Sequence, residues 1–426
     1  MLILRKFLLL IALTLLSACV PASLPSVQIS PTVTITSTET TIPTETTAPT
    51  KTAEPTNNIV VAENTSAAPG LPDWCINRVT GSAGGVIAFI ADWSGFDEIY
   101  LADLKTKEIL QVTNFKSAYV SDLSPSPDGS KLAFSETVNQ SSNLNILDLQ
   151  SKNIQLILRD ISPWGAVSWS PDGQWLAFGA RENGYGNLYL VKKDGSGFKN
   201  LTNSKDYSSE GSGPVLPSWS PDGKTLVFNI LPDYAPVDSA YLALINIDGS
   251  DINPLGYGPD RMGHDWHPIW DATQGKVLYI ARVRVEQPSE KDFMPYANQI
   301  AILDITSHQR YFLTNSVSNK ASASWSANGE NIMYIDSRLP GPQEDFIYSV
   351  HIIQNQRDLT VYEDRRIIES AIWSPDQNFI LMQIGNPSDS QRKSLTDIEI
   401  YNLCDHSLIP FAKNISSDQP VWIIGR

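Results

Sequence analysis

The sequence predicts an all-β fold of short antiparallel sheets repeated around an axis, on three observations. First, the stretch Trp219-Ser220-Pro221-Asp222-Gly223-Lys224-Thr225-Leu226-Val227-Phe228 returns along most of the chain at roughly fifty residues, a period that marks a repeat architecture. Second, the copies keep one register. They read Trp169-Ser170-Pro171-Asp172-Gly173 with Leu176-Ala177-Phe178, Trp325-Ser326-Ala327-Asn328-Gly329 with Ile332-Met333-Tyr334, and Trp373-Ser374-Pro375-Asp376-Gln377 with Ile380-Leu381-Met382. Two looser copies start at Pro125 and Trp270 and end at Phe134 and Tyr279, so that in all six the last large apolar residue falls nine positions after the first. Third, the segment that opens the repeats lacks a first strand, and the end of the sequence supplies a matching one.

Each element has a local cause. A short strand ends at Trp, Pro221 presets φ for the first central position of a type I turn, and Gly223 takes the positive φ that leads into the return strand. An apolar strand follows, then a loop of variable length, a strand such as Leu188-Tyr189-Leu190-Val191, a turn such as Lys193-Asp194-Gly195-Ser196-Gly197, and a last strand such as Asn200-Leu201-Thr202. Four antiparallel strands per repeat make a propeller blade. Val86-Ile87-Ala88-Phe89, Glu98-Ile99-Tyr100-Leu101 and Ile109-Leu110-Gln111-Val112-Thr113 give three strands of a first blade, and Gln419-Pro420-Val421-Trp422-Ile423-Ile424 its innermost one. With the six copies this predicts seven blades, the ring closed by the C-terminal strand.

Ahead of the repeats, residues 1–18 read as a targeting segment, with Arg5 and Lys6 before the apolar run Phe7 to Leu16. Leu16-Ser17-Ala18-Cys19 resembles the lipobox of bacterial lipoproteins, which implies cleavage before Cys19, a lipid on its sulfur and membrane attachment outside the cytoplasm. An uncleaved membrane helix or an ordinary secretory signal are the other readings, and both also export the chain. Residues 19–72 are rich in Thr, Pro, Ser and Glu with scarcely an aromatic, a composition that cannot offset the entropy of ordering, so they are expected to form a disordered tether. The propeller is assigned to residues 73–426. Its two remaining cysteines, Cys75 and Cys404, either bridge or stay as buried thiols; in an exported chain the bridge Cys75–Cys404 is the reading adopted.

The formal charge is −15, and −17 without Arg5 and Lys6 (29 basic against 46 acidic side chains). That argues against nucleic acid as a partner and against an anionic membrane surface for the ring itself. Antiparallel alternation puts the Asp-Gly hairpins on one face. The loops between second and third strands and the blade connections lie on the other. The second face carries the long excursions, and variable loops on a repeating scaffold are where binding concentrates. Candidate ligand-binding residues there are Trp93, Arg181, Tyr185, Tyr234, Trp266, Phe293, Tyr296, Arg338 and Arg392, types that serve as anchors. The alternative for each is packing within its own loop. Gly263-His264-Asp265-Trp266-His267-Pro268 places two of the five histidines near the axial channel; a metal would need a third ligand, for which Glu210 and Glu369 are candidates. His267 also occupies an ordinary strand position equivalent to Leu216. No nucleophile elbow, zinc-protease motif or phosphate loop occurs.

The repeat in residues 169 to 202 resembles the WD-repeat-like propeller repeats of TolB-type proteins, which also occur in the propellers of prolyl oligopeptidase-type enzymes. The resemblance covers nearly all of residues 85 to 426 and implies a propeller. The chain departs from TolB in having seven blades rather than six and no N-terminal α/β domain, and from the peptidases in having no hydrolase domain after the ring. The expected function is a lipid-anchored, extracytoplasmic binding module of the cell envelope, monomeric and without cofactor. It would engage a protein, peptide or glycan through the long-loop face. The alternative is a polysaccharide lyase or hydrolase with a His/carboxylate site at the channel mouth.

Overall fold

The computed structural model describes residues 58–59, 63–64, 85–139, 141–161, 163, 167–182, 185–202, 213–231, 240–255, 265–271, 275–284, 296–338, 345–385, 395–415 and 419–423. These form seven antiparallel sheets arranged as a seven-bladed propeller. Blade 1 runs, from the axis outward, Val421–Ile423, Val86–Ala91, Glu98–Asp103 and Ile109–Gln111. Blades 2 to 7 begin with the inner strands Tyr119–Pro125, Ser168–Trp169, Gly213–Trp219, Asp265–Trp270, Asn319–Trp325 and Ile368–Trp373. The closure expected from the sequence is present, with Ile423, Trp422 and Val421 opposite Val86, Ile87 and Ala88.

The repeated turn is organised by a residue to which the motif assigned no role. In blade 4 the Ser220 hydroxyl donates to Asp222 Oδ1 at 2.7 Å and accepts the Thr225 N–H at 3.0 Å, while Asp222 Oδ1 accepts the Lys224 N–H at 3.1 Å. Gly223 closes the turn on the Ser220 carbonyl with φ 68°. The same contacts recur at Ser126, Ser170, Ser326 and Ser374. A hydroxyl can donate and accept at once across this turn, and serine is the smallest side chain that carries one. The threonine of the recurring Leu-Thr pair has a matching duty. The hydroxyls of Thr113, Thr202 and Thr314 accept the N–H groups of Ile99, Leu188 and Ile300 in the neighbouring strand.

The core is divided among the blade interfaces. Seven apolar clusters each join two adjacent blades, the one between blades 7 and 1 containing Ile87, Phe89, Leu381, Ile400 and Trp422. The residue nine positions after each repeat Trp or Pro, from Phe134 to Met382, is buried. Trp does more than fill space. The indole N–H of Trp169 donates to the Ser124 carbonyl at 2.9 Å, that of Trp219 to Ser168 at 3.0 Å, and that of Trp325 to Ile269 at 3.3 Å. In each case the acceptor is the residue before the Trp or Pro of the preceding blade, so the repeat side chain fastens one inner strand to the next.

Two short segments from within the stretch expected to be a tether pair with the ring. Asn58–Ile59 runs parallel to the outer strand Arg310–Phe312 of blade 5, and Glu63–Asn64 parallel to the outer strand Arg357–Asp364 of blade 6. The Thr/Pro composition that sets the rest apart stops short of Ile59-Val60-Val61-Ala62, whose β-branched residues suit a strand edge. The targeting segment, Cys19 and Cys75 lie outside the described residues. Cys404 is disulfide-bonded.

Candidate functional site

The inner strands border the axial channel, and four of them share one irregularity. In blades 2, 4, 5 and 6 the inner strand carries one more residue than its partner over the same stretch. The residue three places before the Trp or Pro takes a left-handed conformation there: Asp122 at φ 60°, Leu216 at 54°, His267 at 55° and Ser322 at 52°. Non-glycine residues in this region are uncommon and mark a built-in feature of the strand. The equivalence of His267 and Leu216 inferred from the repeat therefore holds in the backbone.

His267 is reached by water along the channel but flanked by protein, and this desolvation lowers its pKa. Its ring stacks on Trp266 at 5.6 Å, and its main-chain N–H donates to Asn229 Oδ1 at 3.2 Å. Burial raises the carboxyl of Asp122 against the hydrogen bond from Ser121 at 2.8 Å. Asp265, the acid of the histidine-containing run, belongs to a structural pair instead. It is buried 2.6 Å from Arg310 Nη1, and that guanidinium also reaches the Tyr279 hydroxyl at 3.3 Å and the Leu255 carbonyl at 3.2 Å. Burial works against the Arg310 charge, but Tyr279 and Asp265 outweigh it and raise its pKa. Among the described residues no three His, Cys, Asp or Glu side chains gather as a metal would require. His264 and Glu210 lie outside them. His351 joins Asp358 and Ser349 in a buried network, while His308 and His406 hold left-handed positions in outer turns.

The loops sort the exposed apolar surface by face. Eleven large hydrophobic side chains stand exposed among the described residues, and six of them, Trp93, Phe96, Tyr119, Val317, Phe346 and Ile367, belong to the long-loop face. The short-turn face has one, Phe198, which stacks on Tyr189 at 5.3 Å. Polar contacts hold several of the six in place. Trp93 packs on Phe89 and Tyr100 and donates its indole N–H to the carbonyls of Lys413 and Asn414 in blade 7, both at 3.1 Å. Val317 projects from a connection pinned beneath by buried Lys320, whose ammonium donates to the Ser318 carbonyl at 2.8 Å and to the Ser316 hydroxyl. Burial lowers the Lys320 pKa, with Asp336 at 3.5 Å opposing. Arg366, next to Ile367, is clamped by Asp364 at 2.6 Å and by Glu399 at 2.7 and 2.9 Å.

Of the anchors expected from the sequence, Trp93 keeps an exposed ring. Trp266 and Tyr296 are half-buried, Tyr296 beneath Arg282 at 5.3 Å, and Arg338 pairs with Glu363 at 2.9 Å. Arg181 and Tyr185 lie at the ends of the second and third strands of blade 3, on the same face; their side chains, with Tyr234, Phe293 and Arg392, are outside the described residues. Phe96, Tyr119, Val317, Phe346 and Ile367 were missed. Placing the strand boundaries of the repeats in register would have found them, because each falls between strands or at the first residue of one.

Comparison with known proteins agrees with this geometry. Residues 79–258 match the family model of the TolB beta propeller domain. The TolB homologue of Chlorobium luteolum is 29% identical over 150 residues, which cover 34% of this chain and 31% of that protein. The homologue of Chlorobium chlorochromatii is 32% identical over 148 residues, with the same coverage. The chain thus spans about a third of the length of these relatives. Among solved structures, an oligogalacturonate lyase from Vibrio parahaemolyticus aligns with a TM-score of 0.54 at 15% identity, covering 70% of this chain and 83% of that one. The β-propeller domain of the Trilobed protease from Pyrococcus furiosus, described as having an open velcro topology, aligns with a TM-score of 0.53 at 13% identity over 78% and 96%. At such identities the likeness concerns the fold alone. The ring is a seven-bladed propeller, of which residues 79–258 match the TolB beta propeller domain.

Proposed function

We propose that this chain is an extracytoplasmic binding module, held at the cell envelope through a lipid on Cys19, that engages a protein, peptide or glycan with its long-loop face. The observation that carries the reading is the contrast between the faces. The short-turn face spends its Ser and Asp side chains on closing its own turns, whereas the long-loop face exposes six large apolar residues, several fixed by buried polar contacts. Ordering such anchors beforehand lowers the entropy cost of binding. Val317 and Ile367 offer neither the flat ring nor the polar tip suited to a sugar, so they favour a protein or peptide.

The test is retention of an envelope component on the purified ring, comparing it with a Phe96→Ser, Val317→Ser, Phe346→Ser variant. Loss of the retained component at unchanged melting temperature supports the reading; equal retention rejects it. Stoichiometric transition metal in the purified protein, lost in His264→Ala and His267→Ala together, would instead favour the lyase or hydrolase alternative.

A further inference from the structure

The seams between neighbouring blades are not alike. Among the described residues, the apolar cluster between blades 5 and 6 has seven buried members, against nine to thirteen at each of the other six seams. The two faces of blade 6 show why. Toward blade 7 it turns Met333, Ile335, Val350, Ile352 and Val361. Toward blade 5 the alternate positions place Tyr334, Asp336, Ser349 and His351 between Ile332 and Ile353, all of them buried. His351 stacks on Tyr334 at 4.9 Å and bonds through Nδ1 to Asp358 Oδ1 and through Nε2 to the Ser349 hydroxyl, both at 3.0 Å. The Tyr334 hydroxyl donates to Asp358 Oδ2 at 2.6 Å. Lys320 lies 3.5 Å from Asp336 and holds Ser316 and Ser318 in the connection that arrives from blade 5. Buried charges stabilise an interface less than well-packed apolar side chains of the same volume, because both partners lose their water. The seam between blades 4 and 5 also buries an ion pair, Asp265 with Arg310, but keeps nine buried apolar residues around it.

The same seam is the one this chain crosses from outside. Asn58 and Ile59 lie opposite Tyr311 and Phe312 at the end of the outer strand of blade 5, and Glu63 and Asn64 opposite Arg357 and Asp358 at the start of that of blade 6. Three residues of sequence separate the two pieces, so the two edges are tied covalently. Four peptide steps reach at most about 14 Å, and with both pieces seated the edges cannot part further than that allows. On blade 6 the contact falls on Asp358, a member of the buried network, and on blade 5 on Phe312, next to the connection that Lys320 holds. Among the described residues no other two neighbouring blades are joined in this way.

We propose that the two pieces Asn58–Ile59 and Glu63–Asn64 are a bolt across the seam between blades 5 and 6, and that this seam is where the ring opens once the bolt is withdrawn. A pull on the residues before Asn58 strips the short ladder from blade 5 first, which leaves the polar network to hold the seam alone. Opening there moves the connection of residues 313–318, on which Val317 stands exposed. That last consequence matters to binding only if the long-loop face is the one used, whereas the bolt itself does not depend on what the ring binds.

The test is the hydrogen-exchange rate of the indole protons in the full chain carrying isotope-labelled tryptophan. Trp325 bonds across the seam in question to Ile269, whereas Trp169 and Trp219 bond across the seams between blades 2 and 3 and between blades 3 and 4. Asn58→Pro with Glu63→Pro removes a main-chain N–H from each piece and touches nothing in the ring itself. Exchange at Trp325 faster by at least about tenfold, with Trp169 and Trp219 within about twofold of the parent, is the expected result. An unchanged rate at Trp325, or a rise shared equally by all three indoles, overturns the proposal. If the double variant loses its cooperative melt, Asn58→Pro alone, which leaves the blade 6 piece intact, is read by the same two criteria with a smaller rise expected.

Discussion

Trp219→Phe isolates the contact that joins consecutive inner strands. The indole is buried between blades 3 and 4, and its N–H reaches the Ser168 carbonyl at 3.0 Å. Phe keeps most of the ring but removes the donor, at a cost of about 0.5–1.5 kcal/mol for the lost hydrogen bond, because the Ser168 carbonyl keeps its ladder partner opposite Ala177. The smaller ring adds up to about 1 kcal/mol, for an expected loss of roughly 0.5–2.5 kcal/mol. Trp219→Ala removes about 200 Å² of buried ring, worth at most ~5 kcal/mol by area, and is expected to cost about 3–5 kcal/mol. Urea unfolding followed by circular dichroism measures both. Trp325→Phe should cost less, since its bond is longer at 3.3 Å and its ring only partly buried. If Trp219→Phe falls within about 0.5 kcal/mol of the parent, or below Trp325→Phe, the indole bond does not fasten the blades and the reasoning fails.

Asp222→Asn should change neutral stability by no more than about 1 kcal/mol, because blade 6 places Asn328 in the same turn with the same contacts; Asp222→Ala should cost about 1–2 kcal/mol, both read by thermal melts. The Ser126 hydroxyl and the Ser130 N–H hold Asp128 down at about 2, and Asp172 and Asp222 are lowered likewise, first by Ser170 and Ser220. Their contribution is complete above the unfolded value of about 4 and drains as the pH falls toward 2, so Asp222→Asn should flatten the acid side of the stability profile. His267 has its pKa lowered by the partial desolvation that the flanking protein imposes, so the unfolded chain takes up this proton first, and stability falls as the pH drops below about 6.5. His267→Leu, the residue blade 4 carries at that position, should remove this part of the decline. Peptide mapping of the non-reduced protein should recover Cys404 joined to Cys75; a Cys404 peptide joined to Cys19 would contradict the lipid attachment.

The fold was legible because its determinants are local and repeated. Trp, Pro, Asp and Gly state the turn, and the position nine residues on states the core. The role of serine was not legible, since its two hydrogen bonds depend on the distance between turn and strand rather than on composition. The site was harder to read for a similar reason. Aromatic and Arg residues in long loops drew attention, yet Arg338 is engaged by Glu363, and the surface is carried in part by Val317 and Ile367. Those two are plain aliphatics, each beside an anchored neighbour: Lys320 holds the Ser318 carbonyl, and Arg366 is paired with Glu399. Alternation alone would set Asp265 and His267 on one face of the strand, but the extra residue and the left-handed backbone at His267 interrupt it, and Asp265 pairs with Arg310.

A photo-crosslinker placed in turn at Phe96, Val317 and Phe346, and at Gln174 and Lys224 on the opposite face, tests directly which side of the ring does the binding. Adducts with the envelope component from the first three positions and none from the other two are the predicted pattern. Adducts from Gln174 or Lys224, with none from Phe96, Val317 and Phe346, would contradict it.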